Sequence, residues 1–216
     1  MNLSRRIAAN FFWITGSRGL GKACSFVMVL LLARCLGAEG LGKFAFVTAY
    51  LALFGVLTDL GVDMILIREA SKDLKGSEQL VGSGIVLKAV LAVSVYGATV
   101  LAAGLLGYDS EKVLYIAIAG AGFFLAPLTC YSSAFFSTLN LHLPSLFEGG
   151  SRLLVLLVVV LLVWAGEGLA LVFLAIVLGG ALEAFCKVIY AQRYFRPRLR
   201  VHLRLWRWII KEVWPL

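Results

Sequence analysis

Six apolar stretches, over about 10–36, 43–66, 80–106, 112–139, 146–165 and 169–192, take up most of the 216 residues. A helix needs about 20 mainly apolar residues to cross a bilayer. Inside hydrocarbon every backbone N–H and C=O must find its partner within the segment, so stretches of this length have few options beyond helices. Composition agrees: 61% of residues are hydrophobic and 15% charged, where a soluble domain carries about 25% charge. The sequence therefore predicts an all-α integral membrane protein, with a six-transmembrane-helix bundle over 1–192. A segment over 193–216 with a different, basic and tryptophan-rich composition follows.

The net charge of +8 does not point to nucleic acid, because most of the excess lies in predicted loops and the tail. There, positive charge sets topology and meets anionic headgroups. Arg5, Arg6, Arg68, Lys72, Lys75, Arg152 and the tail from Arg193 to Lys211 fall on one side. Lys43 and Lys112 mark the edges of the other. Six spans return the chain to its starting side, so both termini are predicted to be cytoplasmic, in the cell membrane. The first apolar segment is too long for a cleavable signal peptide. In the tail, Arg200, Arg204, Arg207 and Lys211 recur at helical spacing, while Leu203, Trp206, Ile210 and Val213 take another face. That pattern predicts a basic amphipathic helix lying in the interface. The chain stops at Trp214-Pro215-Leu216, as if another apolar segment were about to begin.

Charges inside the spans carry the functional information, since a lone cation there costs from about 3 to more than 10 kcal/mol. Arg18 and Lys22 are four residues apart and so share one face of the first span. Asp59 and Asp63 repeat this spacing in the second span, Lys88 lies in the third, and Glu183 with Lys187 in the sixth. Arg18, Lys22, Asp59, Lys88, Glu183 and Lys187 are the candidate substrate-cavity residues, with the cations suited to an anionic group such as a phosphate. Glu148–Arg152 and Glu183–Lys187 have the spacing of salt bridges within one helix. Pro127 is predicted to kink the fourth span.

Other chemistry finds little support. Residues 16–23, GSRGLGKA, match the G-x-x-x-x-G-K pattern of phosphate-cradling loops, but Ala23 stands where the magnesium-binding Ser or Thr belongs and no strand precedes it. Cys24, Cys35, Cys130 and Cys186 form no C-x-x-C pair and read as small apolar packing residues. His142 and His202 are far apart, and no metal site, cofactor or catalytic constellation is predicted.

Between residues 30 and 73 an ordered set of short motifs appears: Leu32-Ala33-Arg34, Leu36-Gly37, Leu41-Gly42, Asp59-Leu60-Gly61 and Ile67-Arg68-Glu69. In this the chain resembles polysaccharide biosynthesis flippases, the Wzx-type transporters of undecaprenyl-pyrophosphate-linked oligosaccharides, in the superfamily that includes the MATE exporters. The resemblance implies an N-terminal lobe of a two-lobed transporter, joined by an interfacial linker helix to a second lobe or paired with a second chain. It implies that Arg18 and Lys22 hold the pyrophosphate of a prenyl-linked glycan. Arg34, Asp63, Arg68, Glu69 and Pro127 are then gating or structural positions. Two other readings stay open: half of a cation-coupled drug exporter using Asp59 and Glu183, and a small membrane enzyme acting on lipid phosphate headgroups through Asp59 and Asp63.

Overall fold

A computed structural model describes residues 3–73, 76–137, 141–193, 197 and 206. The first helical run, α1, spans Leu3–Asp59, and its residues 10–59 are apolar enough to lie in a membrane. At 1.5 Å per residue those 50 residues would reach about 75 Å, more than twice a hydrocarbon core. Gly37 resolves the conflict. With φ 68° and ψ −171° it divides α1 into two limbs, 3–36 and 38–59, in a conformation that glycine adopts without a steric cost.

Contacts show that the limbs run in opposite directions. Leu20 lies against Gly149, and Gly21 against Arg152, so the first limb runs parallel to α6 (His142–Trp164). Along the second limb, Lys43 pairs with Glu111, the Tyr50 hydroxyl donates to the Thr99 carbonyl, and Asp59 pairs with Lys88. Descending partner numbers mean that this limb is antiparallel to α3 (Glu78–Leu105). The fourth span is composite: α4 (Ser110–Gly120), a 3-10 segment (Ala121–Tyr131) and α5 (Ser132–Ser137). α7 (Leu169–Ala191) completes six crossings. The predicted multi-pass α-helical bundle is thus the observed fold.

Two differences from the sequence reading matter. The second span does not continue to 66. Leu60 and Gly61 take positive φ values of 48° and 81°, ending the limb at Asp59 and starting a separate 11-residue helix, α2 (Val62–Lys72). The Leu-Gly pair supplies the reason, because left-handed backbone ends a helix and only glycine enters it cheaply. The fourth span is also not a plain kinked helix. Around Pro127, which has no N–H to donate, eleven residues tighten into 3-10 geometry, far beyond the usual three or four.

The main apolar core lies toward the Gly37 end, where Leu32, Phe44, Val47, Tyr115, Ile116, Val159, Val172 and Phe173 are buried together. Phe44 and Phe173 stack there at 5.5 Å. Large apolar side chains such as Phe12, Leu105 and Trp164 face outward, as lipid contact requires. At the other end a smaller cluster joins α2 to α3 and Cys130 through Val62, Ile65, Leu66, Val81 and Leu87, and Trp206 packs on it. The Trp206 indole N–H donates to the Ser83 carbonyl at 3.1 Å. Apart from Arg193, Pro197 and Trp206, the predicted linker helix over 193–216 lies outside the described residues.

Candidate functional site

Apart from Arg34, Lys43 and Lys112 at the Gly37 end, the candidate charged residues of the spans gather toward the opposite end, in three groups. The first is built on the break in the second span. Lys88 is 1% exposed, among the largest of the side chains that are almost wholly buried. It lies ten residues into α3, about 15 Å along the helix from Glu78. Its ammonium is 2.7 Å from Asp59 Oδ1, 2.8 Å from Asp63 Oδ1 and 2.7 Å from the Thr129 hydroxyl. That hydroxyl reaches Asp63 Oδ2 at 2.7 Å and the Ala126 carbonyl at 2.8 Å. Asp59 Oδ1 also accepts the Asp63 backbone N–H at 3.3 Å, across the break. An ammonium in this setting is sustainable only with such partners. Two carboxylates face one ammonium, leaving one negative charge in excess. Asp59 and Asp63 keep 41% and 29% of their side chains exposed, so that excess is turned outward rather than sealed in.

The second group joins α6 and α7. Lys187 lies 2.6 Å from Glu183 Oε1, and the Ser151 hydroxyl donates to Glu183 Oε2 at 3.0 Å. The predicted helical pair at 183 and 187 therefore forms. The matching pair at 148 and 152 does not: Glu148 and Arg152 make no bridge among the described residues. An open cleft of about 310 Å³ links the first two groups, with Thr58, Phe123, Thr129, Ser132, Glu183 and Lys187 among its lining residues. Thr129 thus belongs both to the cleft wall and to the Lys88 network. The 3-10 segment around the buried Pro127 carries it there.

The third group is Arg18 and Lys22. Both are exposed on α1 and have no partner among the described residues. The candidate acids of the other spans, Asp59, Asp63 and Glu183, are engaged by Lys88 and Lys187 instead. Helical spacing still places Arg18 and Lys22 on one stripe with Ser25. Ser25 lines a second, smaller cleft together with Cys24, Met28, Ser151, Arg152 and Glu183. Gly16 and Gly19 meet nothing within 4 Å, while Gly21 faces Arg152. Of the glycines in the G-x-x-x-x-G-K stretch, it is Gly21 that meets a neighbouring helix.

The motif positions are spread more widely. Arg34, near the Gly37 end, is exposed beside an open groove with Val27, Leu30 and Leu31. Glu69 takes Lys72 at 2.8 Å and the Arg68 Nε at 3.1 Å in the last turns of α2. The Lys72 hydrogen bond, with Arg68 assisting against partial burial, holds the Glu69 carboxyl below its ordinary pKa. Arg68 and Glu69 are therefore brought together, but away from Arg34. Sequence reasoning did not single out Thr129 or Ser151. A lone hydroxyl in an apolar run carries little signal until its neighbour is known.

The architecture and its charged interior define a multi-pass α-helical membrane protein with polar clefts at one end of the bundle. The family model described as polysaccharide biosynthesis protein matches residues 7–216, and the chain belongs to that family. No curated protein and no solved structure matches it.

Proposed function

We propose that this chain is a transporter lobe that moves prenyl-pyrophosphate-linked oligosaccharide across the cytoplasmic membrane, with both termini on the cytoplasmic side. The observation that carries this reading is the state of Arg18 and Lys22. Two cations on one stripe of an apolar span are exposed and unpartnered among the described residues, although leaving them unpaired in a membrane is costly. A phosphate-bearing headgroup supplies the missing counter-charge. Membership in the polysaccharide biosynthesis family supports a transport role, since its members are generally transporters rather than enzymes.

On this reading the headgroup passes along the polar stripe while the prenyl tail stays in lipid. Desolvating a pyrophosphate without cationic partners would be prohibitive. A second lobe or a second chain would supply the opposite wall of the path, as rocking of two bundles requires. The lipid-enzyme alternative has lost its free pair, because Asp59 and Asp63 are both drawn onto Lys88.

The test is export of cell-surface polysaccharide in cells whose only copy of the transporter carries Arg18→Gln and Lys22→Gln together. Export should fall at least about tenfold, as expected when charge-assisted contacts to phosphate are lost. Export at the unsubstituted level, with the protein present in the membrane, would sink the proposal.

A further inference from the structure

In the sequence Arg152 stood out as a topology-setting charge and, by spacing, a partner for Glu148. Its surroundings give it more to do. Four residues earlier on its own helix stands Glu148, the natural partner by spacing, yet the two make no bridge. Across the neighbouring cleft, Glu183 is already engaged by Lys187 at 2.6 Å and by the Ser151 hydroxyl at 3.0 Å. Arg152 is exposed and has no counter-charge among the described residues. Its aliphatic stem passes over Gly21: a Cβ built there would lie 3.7 Å from Arg152 Cγ. Gly21 is the residue before Lys22 and three after Arg18, within one helical turn of both. A methyl group at 21 would touch the stem in ordinary van der Waals contact, so the stem lies close against α1 and only a larger side chain would crowd it.

Arg152 thus stands beside Gly21, which lies between Arg18 and Lys22 in α1, with Glu183 already engaged by Lys187 and Ser151 and Glu148 making no bridge to it. The adjoining cleft, at about 50 Å³, has room for a water or two and none for a phosphate. An anion held by Arg152, one of the cleft's lining residues, would therefore sit outside the cleft rather than within it.

We propose that Arg152 is the third cation of the site formed by Arg18 and Lys22, and that it takes the phosphate oxygens on the α6 side. This rests on the pyrophosphate reading above and deepens it. The ligand class is a pyrophosphate whose negative charge spans more than one phosphorus, rather than a single carboxylate or sulfate. An arginine fork meets two phosphate oxygens at once, which an ammonium does not.

The experiment measures binding of farnesyl pyrophosphate and of inorganic pyrophosphate to the full purified chain in nanodiscs. Arg152→Gln should weaken farnesyl pyrophosphate at least about tenfold, with thermal stability unchanged because the side chain is exposed. Arg152→Lys should recover only part of the loss, which a merely structural role would not produce. Gly21→Leu, which keeps every charge but crowds the Arg152 stem, should weaken binding as well. If Arg152→Gln leaves affinity unchanged while Arg18→Gln with Lys22→Gln abolishes it, Arg152 is not part of the site and the wider reading survives. If neither substitution has an effect, both are wrong. Tighter binding of inorganic than of farnesyl pyrophosphate would overturn the assignment to a lipid headgroup.

Discussion

At the scale of single residues, Lys88 is the side chain whose placement says most. Its ammonium is held by Asp59, Asp63 and Thr129, and each contact compensates for a charge taken out of water. Removing one partner of a buried ion pair costs about 3–5 kcal/mol, because the remaining charge is stranded. Lys88→Met should therefore lower the thermal stability of the detergent-solubilised protein strongly. Adding Asp59→Asn and Asp63→Asn to it should restore most of the loss, since all three charges are then gone. Equal melting of the single and triple variants would show that the ion group contributes no coupling. The depth of the charges was readable from sequence, but the pairing was not. Asp59 and Asp63 share the four-residue spacing of Arg18 and Lys22, and spacing alone does not say which cation meets them. The antiparallel register of the second α1 limb against α3 puts Lys88 beside Asp59, and Asp63 reaches the same ammonium across a break that periodicity does not reveal.

At the scale of elements, that break is the feature on which the site depends. Asp59 ends one helix and Asp63 lies in the first turn of the next, with Leu60 and Gly61 in left-handed conformations between them. A non-glycine residue held there costs about 1–2 kcal/mol, and a β-branched one fits worst. Gly61→Val should lower stability by at least that amount and loosen the Asp63 contact with Lys88. Gly97→Ala is the control, because Gly97 lies within α3 with nothing within 4 Å of a built Cβ. There the substitution should be neutral, or stabilising by up to about 1 kcal/mol. The melting temperature should fall for Gly61→Val and hold or rise for Gly97→Ala; a harmless Gly61→Val would mean that the break is not fixed by its backbone. The sequence displayed Asp-Leu-Gly as a motif, and the apolar run through Met64, Ile65 and Leu66 concealed that it was a stop. Pro127 was visible as a helix disruptor, whereas an eleven-residue 3-10 segment depends on packing that no local pattern encodes.

At the scale of the whole molecule, six apolar stretches were enough to set the bundle, because length and composition leave a chain in lipid so few alternatives. What they could not set is which residues meet across the helices. The contacts now fix an alternation that can be checked from outside. Cys35 is exposed and stands two residues before the Gly37 turn, at the end where Lys43 meets Glu111. Gln192 is exposed just past α7, at the opposite end with the Lys88 group. In right-side-out membrane vesicles, an impermeant maleimide should label Cys35. It should fail to label Gln192→Cys in a Cys35→Ser background until the vesicles are inverted. The buried Cys24 and Cys130 should stay unlabelled from either side. The proposed orientation, with the Lys- and Arg-rich Gln192 end cytoplasmic, is what sets this expected order of labelling. Labelling of both sites from one side would remove a crossing between them, and with it the shared depth that brings Arg18, Lys88 and Lys187 to one end of the bundle.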